Sequence, residues 1–239
     1  MGMKNEPGAG MRRKFLKQSM SLVLAATAVP SFAGTWIGEK REYPEFEKKP
    51  PLPADMVAEF VRVAHFDLAK VKEMVEKEPM VINACWDWGG GDFETALGGA
   101  SHVGNKDIAS YLMDHGARKD IYCSAMLGER DLVHAFIKTI PGIANVDGPH
   151  KFSLLYHVAI SGDTKMAAMV KPHITDQEDY NQALHAAVRN GKISMTEWML
   201  KNGVNDPNTK DFVGNTPLQN AEKKNYKDIA ELLKKHDAK

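Results

Sequence analysis

Beyond Pro53 the chain repeats one pattern of apolar and small positions. An apolar anchor is followed seven residues later by a glycine or polar turn residue, and then by apolar residues eleven, fourteen and fifteen positions after the anchor. The six anchors are Phe60, Leu97, Ile121, Leu155, Leu184 and Leu218. Because the later spacing follows the 3.6-residue helical period, each unit is predicted to be two short antiparallel helices. Helix pairs this small cannot bury their own apolar stripes, so we expect them to stack in single file.

The final unit carries the most complete motif. It contains Gly214, then Thr216-Pro217-Leu218, then Ala221. This run resembles the ankyrin repeat, whose period is about 33 residues. The resemblance implies an all-α ankyrin-repeat solenoid of about six helix-turn-helix units with short hairpin loops, over residues 54–239. It also implies a protein partner, bound through the hairpin tips and the concave inner helices.

The resemblance assigns a role to some polar positions. His185 occupies the histidine position of the motif, which in the family hydrogen-bonds the neighbouring hairpin. Tyr122 and Tyr156 occupy that position in their own units and are candidates for partner contact. Between Leu97 and Ile121 the interval is only 24 residues, so the hairpin there is expected to be nearly absent.

Residues 1–33 are typical of an export signal rather than of the fold. A basic segment precedes about ten apolar residues, too few for a membrane span, and a small-x-small cleavage site ends at Ala33. Arg12-Arg13 with Phe15 and Leu16 resembles a twin-arginine signal. That resemblance implies a bacterial protein exported already folded, to the periplasm or beyond, and not held in the membrane after cleavage. Whether translation starts at Met1, Met3 or Met11 stays open.

Residues 34–53 are rich in proline and charge and are interpreted as a tether. The full chain has 31 basic and 31 acidic residues. Cleavage would remove five basic side chains and one acid, leaving 26 against 30, a net charge of −4. No basic surface therefore suggests nucleic acid. The two cysteines, Cys85 and Cys123, leave one disulfide open as an alternative to two buried thiols.

The segment "CWDWGGGDFETA" needs separate interpretation. A phosphate-binding loop requires an adjacent Lys-Ser or Lys-Thr pair after its glycines, and none follows here. The acids also lack the spacing of a calcium-binding loop. We interpret it as an exposed finger at the first hairpin, with aromatic and acidic residues that form a binding hot spot. The candidate partner-binding residues there are Trp86, Asp87, Trp88, Asp92 and Glu94, joined by Tyr122, His150 and Tyr156 from later units. Structural packing of one or both indoles is the alternative, favoured for Trp88.

The remaining histidines are interpreted as structural. His102, His115 and His134 are assigned to solvated helix faces, and no HExxH pattern occurs. No catalytic residue, metal or cofactor is predicted. The sequence therefore favours a monomeric, non-enzymatic binding protein. The competing hypothesis is a metal-dependent hydrolase that uses Asp87, Asp92, His102 and His150, and a third is a protective companion of one exported enzyme.

Overall fold

The computed structural model describes residues 50–140 and 142–239. The signal motif and its cleavage site, with Arg12, Arg13, Phe15, Leu16 and Ala33, lie outside the described residues, as does most of the predicted tether. Among the described residues, every helix is too short or too polar to cross a bilayer.

The described part of the chain forms six helix pairs in the predicted order. The pairs are α1 (Ala54–Val63) with α2 (Leu68–Lys77), α3 (Ala96–Val103) with α4 (Lys106–Asp114), α5 (Ile121–Leu127) with α6 (Arg130–Thr139), α7 (Leu154–Ser161) with α8 (Thr164–Val170), α9 (Glu178–Arg189) with α10 (Ile193–Asn202), and α11 (Pro217–Lys223) with α12 (Lys227–Lys234). Short 3₁₀ turns lie at Pro79–Asn83, Ile143–Asn145, Pro149–Lys151 and Lys171–His173. The all-α solenoid of six helix-turn-helix units predicted from the sequence is confirmed.

Local side-chain chemistry fixes where the first helix begins in four of the six units. Thr95, Asp120, Ser153 and Thr216 precede α3, α5, α7 and α11, and each side chain accepts a hydrogen bond from a backbone N–H of the first turn. Such caps satisfy amides that have no partner inside the helix. Gly104, Gly128 and Gly162 end α3, α5 and α7 in the left-handed conformation, which glycine adopts without strain. These residues produce the turn at the seventh position of the repeat.

The core is one continuous cluster that runs through all six units. All six anchors are buried, from 0% exposure at Phe60, Leu155 and Leu184 to 6% at Leu218. The first helices pack in series, α1 on α3, α3 on α5, and onward to α11. Each anchor is thereby covered by the neighbouring units, as single-file stacking requires.

One register prediction is wrong. The pattern places Leu132, Ala135 and Phe136 on the buried stripe of the third unit, yet Leu132 is 47% exposed and α6 buries Val133 and Ile137 instead. The helix is therefore rotated by about one residue relative to the other second helices. Leu132 and Val133 are both apolar, so the pattern alone did not distinguish them.

The first hairpin is the only strand pair among the described residues. β1 (Cys85–Asp87) pairs antiparallel with β2 (Phe93–Thr95), in the register Cys85 with Thr95, Trp86 with Glu94 and Asp87 with Phe93. The predicted finger is therefore a two-stranded hairpin whose glycine tip connects the strands. Between α4 and α5 no strand forms in the described chain, which confirms the prediction that the hairpin there is nearly absent.

Candidate functional site

The site is built around one buried carboxylate, Glu94. Side chains alternate between the two faces of a strand, so Phe93 and Glu94 point in opposite directions. Phe93 is 62% exposed, whereas the Glu94 side chain has no exposed surface. The indole Nε1–H of Trp88 donates to Glu94 Oε2 at 2.8 Å. The hairpin therefore carries an acid inward, where it needs further partners.

Three imidazoles supply the further partners. His102 Nδ1 lies 3.0 Å from Glu94 Oε1, while the Nε2 atoms of His65 and His150 each lie 3.5 Å from Oε2. One ligand-type atom from each of these three histidines and from Glu94 lies within 4.8 Å of all the others. We call these four residues the His3Glu cluster.

Each histidine reaches the cluster from a different segment. His65 follows the end of α1, and His102 lies in the last turn of α3. His150 lies in the 3₁₀ turn Pro149–Lys151 with a φ of 58°, in the segment before unit four. Its approach is fixed by Asp92, which accepts from the His150 backbone N–H at 2.8 Å and pairs with His150 Nδ1 at 2.7 Å.

Gly99 makes room for His65 against α3. A Cβ atom added at Gly99 would lie 2.7 Å from His65 Cε1 and 3.0 Å from Nδ1, closer than side-chain atoms normally approach. Glycine inside a helix costs roughly 1 kcal/mol relative to alanine. The paired glycines of "ALGGASHV" therefore serve close packing at the site.

The electrostatics of the cluster favour a charged Glu94 carboxylate beside a neutral His102 imidazole. Burial alone would raise the pKa of Glu94, but His102, His65 and the Trp88 indole more than offset it, and the pKa lies below its usual value. Burial lowers the pKa of His102 although the neighbouring Glu94 opposes the shift. Neutral imidazole and ionised carboxylate are the forms that bind metal ions.

A cavity of about 610 Å³ opens beside the cluster. His65, His102 and His150 line one part of it. The remaining lining comes from later units and includes Phe152, Tyr156, His185, Arg189 and Phe212. The cavity therefore spans several repeats and has the size of small-molecule or peptide-side-chain sites.

Residues 121–239 match the family model described as ankyrin repeats, with three copies. The chain carries ankyrin repeats. No curated protein sequence matches it. The match covers the last four helix pairs, while the finger and the residues Glu94 and His102 lie before it.

Within the ankyrin solenoid, the predicted role of His185 in packing is confirmed. Its Nε2 lies 3.0 Å from the carbonyl oxygen of Thr209, in the segment between α10 and α11. Because a carbonyl only accepts, Nε2 carries the proton. Tyr122, at the corresponding position of unit three, donates from its hydroxyl to the Val146 carbonyl at 2.6 Å. Tyr156 is 3% exposed and stacks on Phe152 with ring centroids 4.1 Å apart.

The finger residues divide into exposed and inward positions. Asp87 is exposed, and its Oδ1 accepts from the backbone N–H groups of Gly89 and Gly91, so it shapes the turn and does not join the cluster. Trp86 is partly buried, and Trp88 is 40% exposed while its indole N–H is bound to Glu94. The indole N–H of Trp88 therefore has a structural role, because it hydrogen-bonds the buried Glu94 carboxylate.

Two sequence interpretations are corrected. Glu94 was predicted to lie on an exposed finger, but strand alternation turns it inward and it is 1% exposed. His102 was assigned to a solvated face, but it is 7% exposed. The hydrolase hypothesis grouped Asp92, His102 and His150 correctly in space, although it placed Asp87 with them.

The sequence analysis did not pair His65 with Glu94, and it did not single out two exposed aromatic residues in segments between helices. Phe93 is 62% exposed and Phe212 is 77% exposed. The guanidinium of Arg189 lies over the Phe212 ring, 5.3 Å from its centroid. Both phenylalanines fall between the helical patterns, and an aromatic residue in such a segment is the signal that would have identified them.

Cys85 is exposed and Cys123 is buried, and both are free thiols.

Proposed function

We propose that this protein is a non-enzymatic binding module, exported through the twin-arginine pathway, that binds a protein partner along the hairpin side of its repeats. The export part rests on the Arg12-Arg13 motif and the cleavage site at Ala33. The binding part rests on the ankyrin repeats and on the surface described next.

One observation carries the binding proposal: exposed aromatics border two neighbouring cavities on the hairpin side. Phe93 lines a cavity of about 880 Å³ beside the finger, Phe212 lines the cavity of about 610 Å³, and His150 lines both. Exposed aromatics beside concave surface are typical of residues that dominate binding energy. Because the repeats hold these side chains on a rigid scaffold, association costs little ordering entropy.

Site-specific crosslinking tests the binding surface. A photoreactive amino acid placed at Phe93 or at Phe212 should crosslink one and the same protein in cells that express the exported chain. The matched controls are Leu132 and Ile193, which are 47% and 43% exposed on second helices. Equal crosslinking from the controls, or none from Phe93 and Phe212, would contradict the proposed surface.

The same surface predicts the effect of removing its aromatics. Phe93→Ala combined with Phe212→Ala should weaken binding of the crosslinked partner by about tenfold or more, since exposed aromatic anchors carry much of an interface's affinity. The melting temperature should stay close to that of the wild type, because both side chains are largely exposed. Unchanged affinity would contradict the assignment.

Export is tested separately. Arg12→Lys combined with Arg13→Lys keeps the charge but removes the paired guanidinium groups, so the precursor should accumulate uncleaved in a bacterium with an active twin-arginine pathway. Lys4→Arg, outside the motif, is the matched control. Mass spectrometry of the N-terminus reports cleavage after Ala33, and normal cleavage of the twin-lysine variant would exclude this route.

A further inference from the structure

The ring nitrogens of the His3Glu cluster have defined roles. His65 Nδ1 lies 3.0 Å from the Val61 carbonyl and 3.1 Å from the Arg62 carbonyl. Carbonyl oxygens only accept, so His65 Nδ1 carries a proton, and in the neutral ring its Nε2 presents a lone pair. His150 Nδ1 is paired with the Asp92 carboxylate, which also accepts, so in the neutral ring its Nε2 presents a lone pair as well. Two lone pairs are therefore aimed at one carboxylate.

When the rings are neutral, this arrangement is repulsive, and a cation between the groups would turn the same lone pairs into ligands. Glu94 Oε1 and His102 Nδ1 are buried atoms without a hydrogen-bond partner of good geometry among the described residues, which is a rare condition in folded proteins.

The spacing is close to that of ligands around a shared metal ion. Nitrogen and oxygen ligands about 2.0–2.1 Å from a tetrahedral zinc ion lie about 3.3–3.4 Å from one another. The Nε2 atoms of His65 and His150 are 3.5 Å from Glu94 Oε2, and His102 Nδ1 is 3.0 Å from Oε1. These separations lie on either side of the edge of such a tetrahedron.

From this geometry we infer that His65, Glu94, His102 and His150 bind one divalent transition metal ion, with zinc as the best match to three imidazoles and one carboxylate. Asp92 is the positioning residue, because a carboxylate on the remote nitrogen of a ligating imidazole fixes its tautomer and orientation. The backbone carbonyls of Val61 and Arg62 do the same for His65. Metal binding here does not depend on a protein partner, so this inference can be correct even if the proposed binding surface is wrong.

Zinc titration of the untagged full-length chain tests the site. After removal of metal with a chelator, the wild type should bind about one zinc ion per chain, measured by calorimetry and by elemental analysis of the dialysed protein. His150→Ala removes a ligand on a partly exposed turn and should lower zinc affinity by about 100-fold or more, with the fold intact by circular dichroism. Glu94→Gln should lower it similarly, although its burial makes His150→Ala the decisive variant.

Two further variants separate a built site from chance binding. Asp92→Asn should lower zinc affinity by about 10–100-fold and alter the visible spectrum of bound Co²⁺, because it misorients His150 without removing a ligand. His115→Ala and His134→Ala, which change exposed histidines outside the cluster, should leave affinity unchanged. The inference is overturned if the wild type binds no zinc, or if His150→Ala binds it as tightly as the wild type. In either case the imidazoles would serve only as packing and hydrogen-bonding partners of Glu94.

Discussion

At the scale of single residues, His157 is the most deeply buried imidazole outside the His3Glu cluster. It has no exposed surface, and its Nδ1 donates to the Ser153 carbonyl at 2.9 Å. Its Nε2 has no partner among the described residues, and the Tyr122 and Tyr156 rings lie beside it. Burial lowers the pKa of His157 from 6.5 to about 4. The native protein therefore holds this ring neutral where an unfolded chain would protonate it.

This shift predicts that acid destabilises the protein. Between pH 6.5 and 4 the His157 side chain is protonated in the unfolded chain but not in the native state. The free energy of unfolding therefore falls as the pH falls. His157 alone should reduce it by roughly 2 kcal/mol between pH 7 and pH 5. Urea unfolding at both pH values should show a smaller drop for His157→Phe than for the wild type. His134→Phe, at an exposed position, is the control, and an equal drop in all three proteins would contradict the assignment.

Only part of the site follows from residue types in the sequence. The sequence predicted a binding role for the finger and named Asp92, Glu94 and His150, but it gave Glu94 the wrong face. Asp92 and His150 are 58 positions apart, and their contact depends on a turn with no periodic signal. His65 lies beyond the end of α1, where the helical period no longer applies. The glycine pair of α3 is the one local sign that another side chain packs closely there.

At the scale of elements, the helices were predictable because their signals are local. Caps such as Thr95 and Thr216 and turn glycines such as Gly162 lie within a few residues of the helix ends they define. The rotation of α6 was not predictable, because Leu132 and Val133 are chemically interchangeable in the pattern. Packing against the neighbouring units decides which of the two side chains is buried, and the sequence of one helix does not show that packing.

The segment between α6 and α7 shows the opposite case. Its sequence "IPGIANVDGPHKFS" has no helical or strand period, yet its described part is held by specific long-range contacts. Tyr122 binds the Val146 carbonyl, and Asp92 binds the backbone and the ring of His150. Such pairs join residues 24 and 58 positions apart, so no local pattern predicts them.

At the scale of the whole molecule, this segment adds a connection that single-file stacking lacks. In a simple solenoid each repeat contacts only its neighbours. Here the turn before unit four reaches the finger between units one and two, through Asp92 and His150. The first four units therefore have a second connection besides helix packing, whereas units five and six are held by helix packing and by hydrogen bonds to adjacent segments, such as that of His185 with Thr209. Stability should accordingly be uneven along the chain.

Leu184→Ala tests this unevenness. Leu184 is fully buried in α9, which packs between α7 and α11, so truncation should cost about 2–5 kcal/mol locally. Because repeat stability is a sum of local and neighbour terms, amide hydrogen exchange should accelerate most in residues 178–234 and least in residues 54–114. Mass spectrometry resolves these segments, with exposed Leu132→Ala as the control. Equal acceleration everywhere would mean that the six units unfold as one cooperative body, and the additional tie at Asp92 would then confer no separate stability.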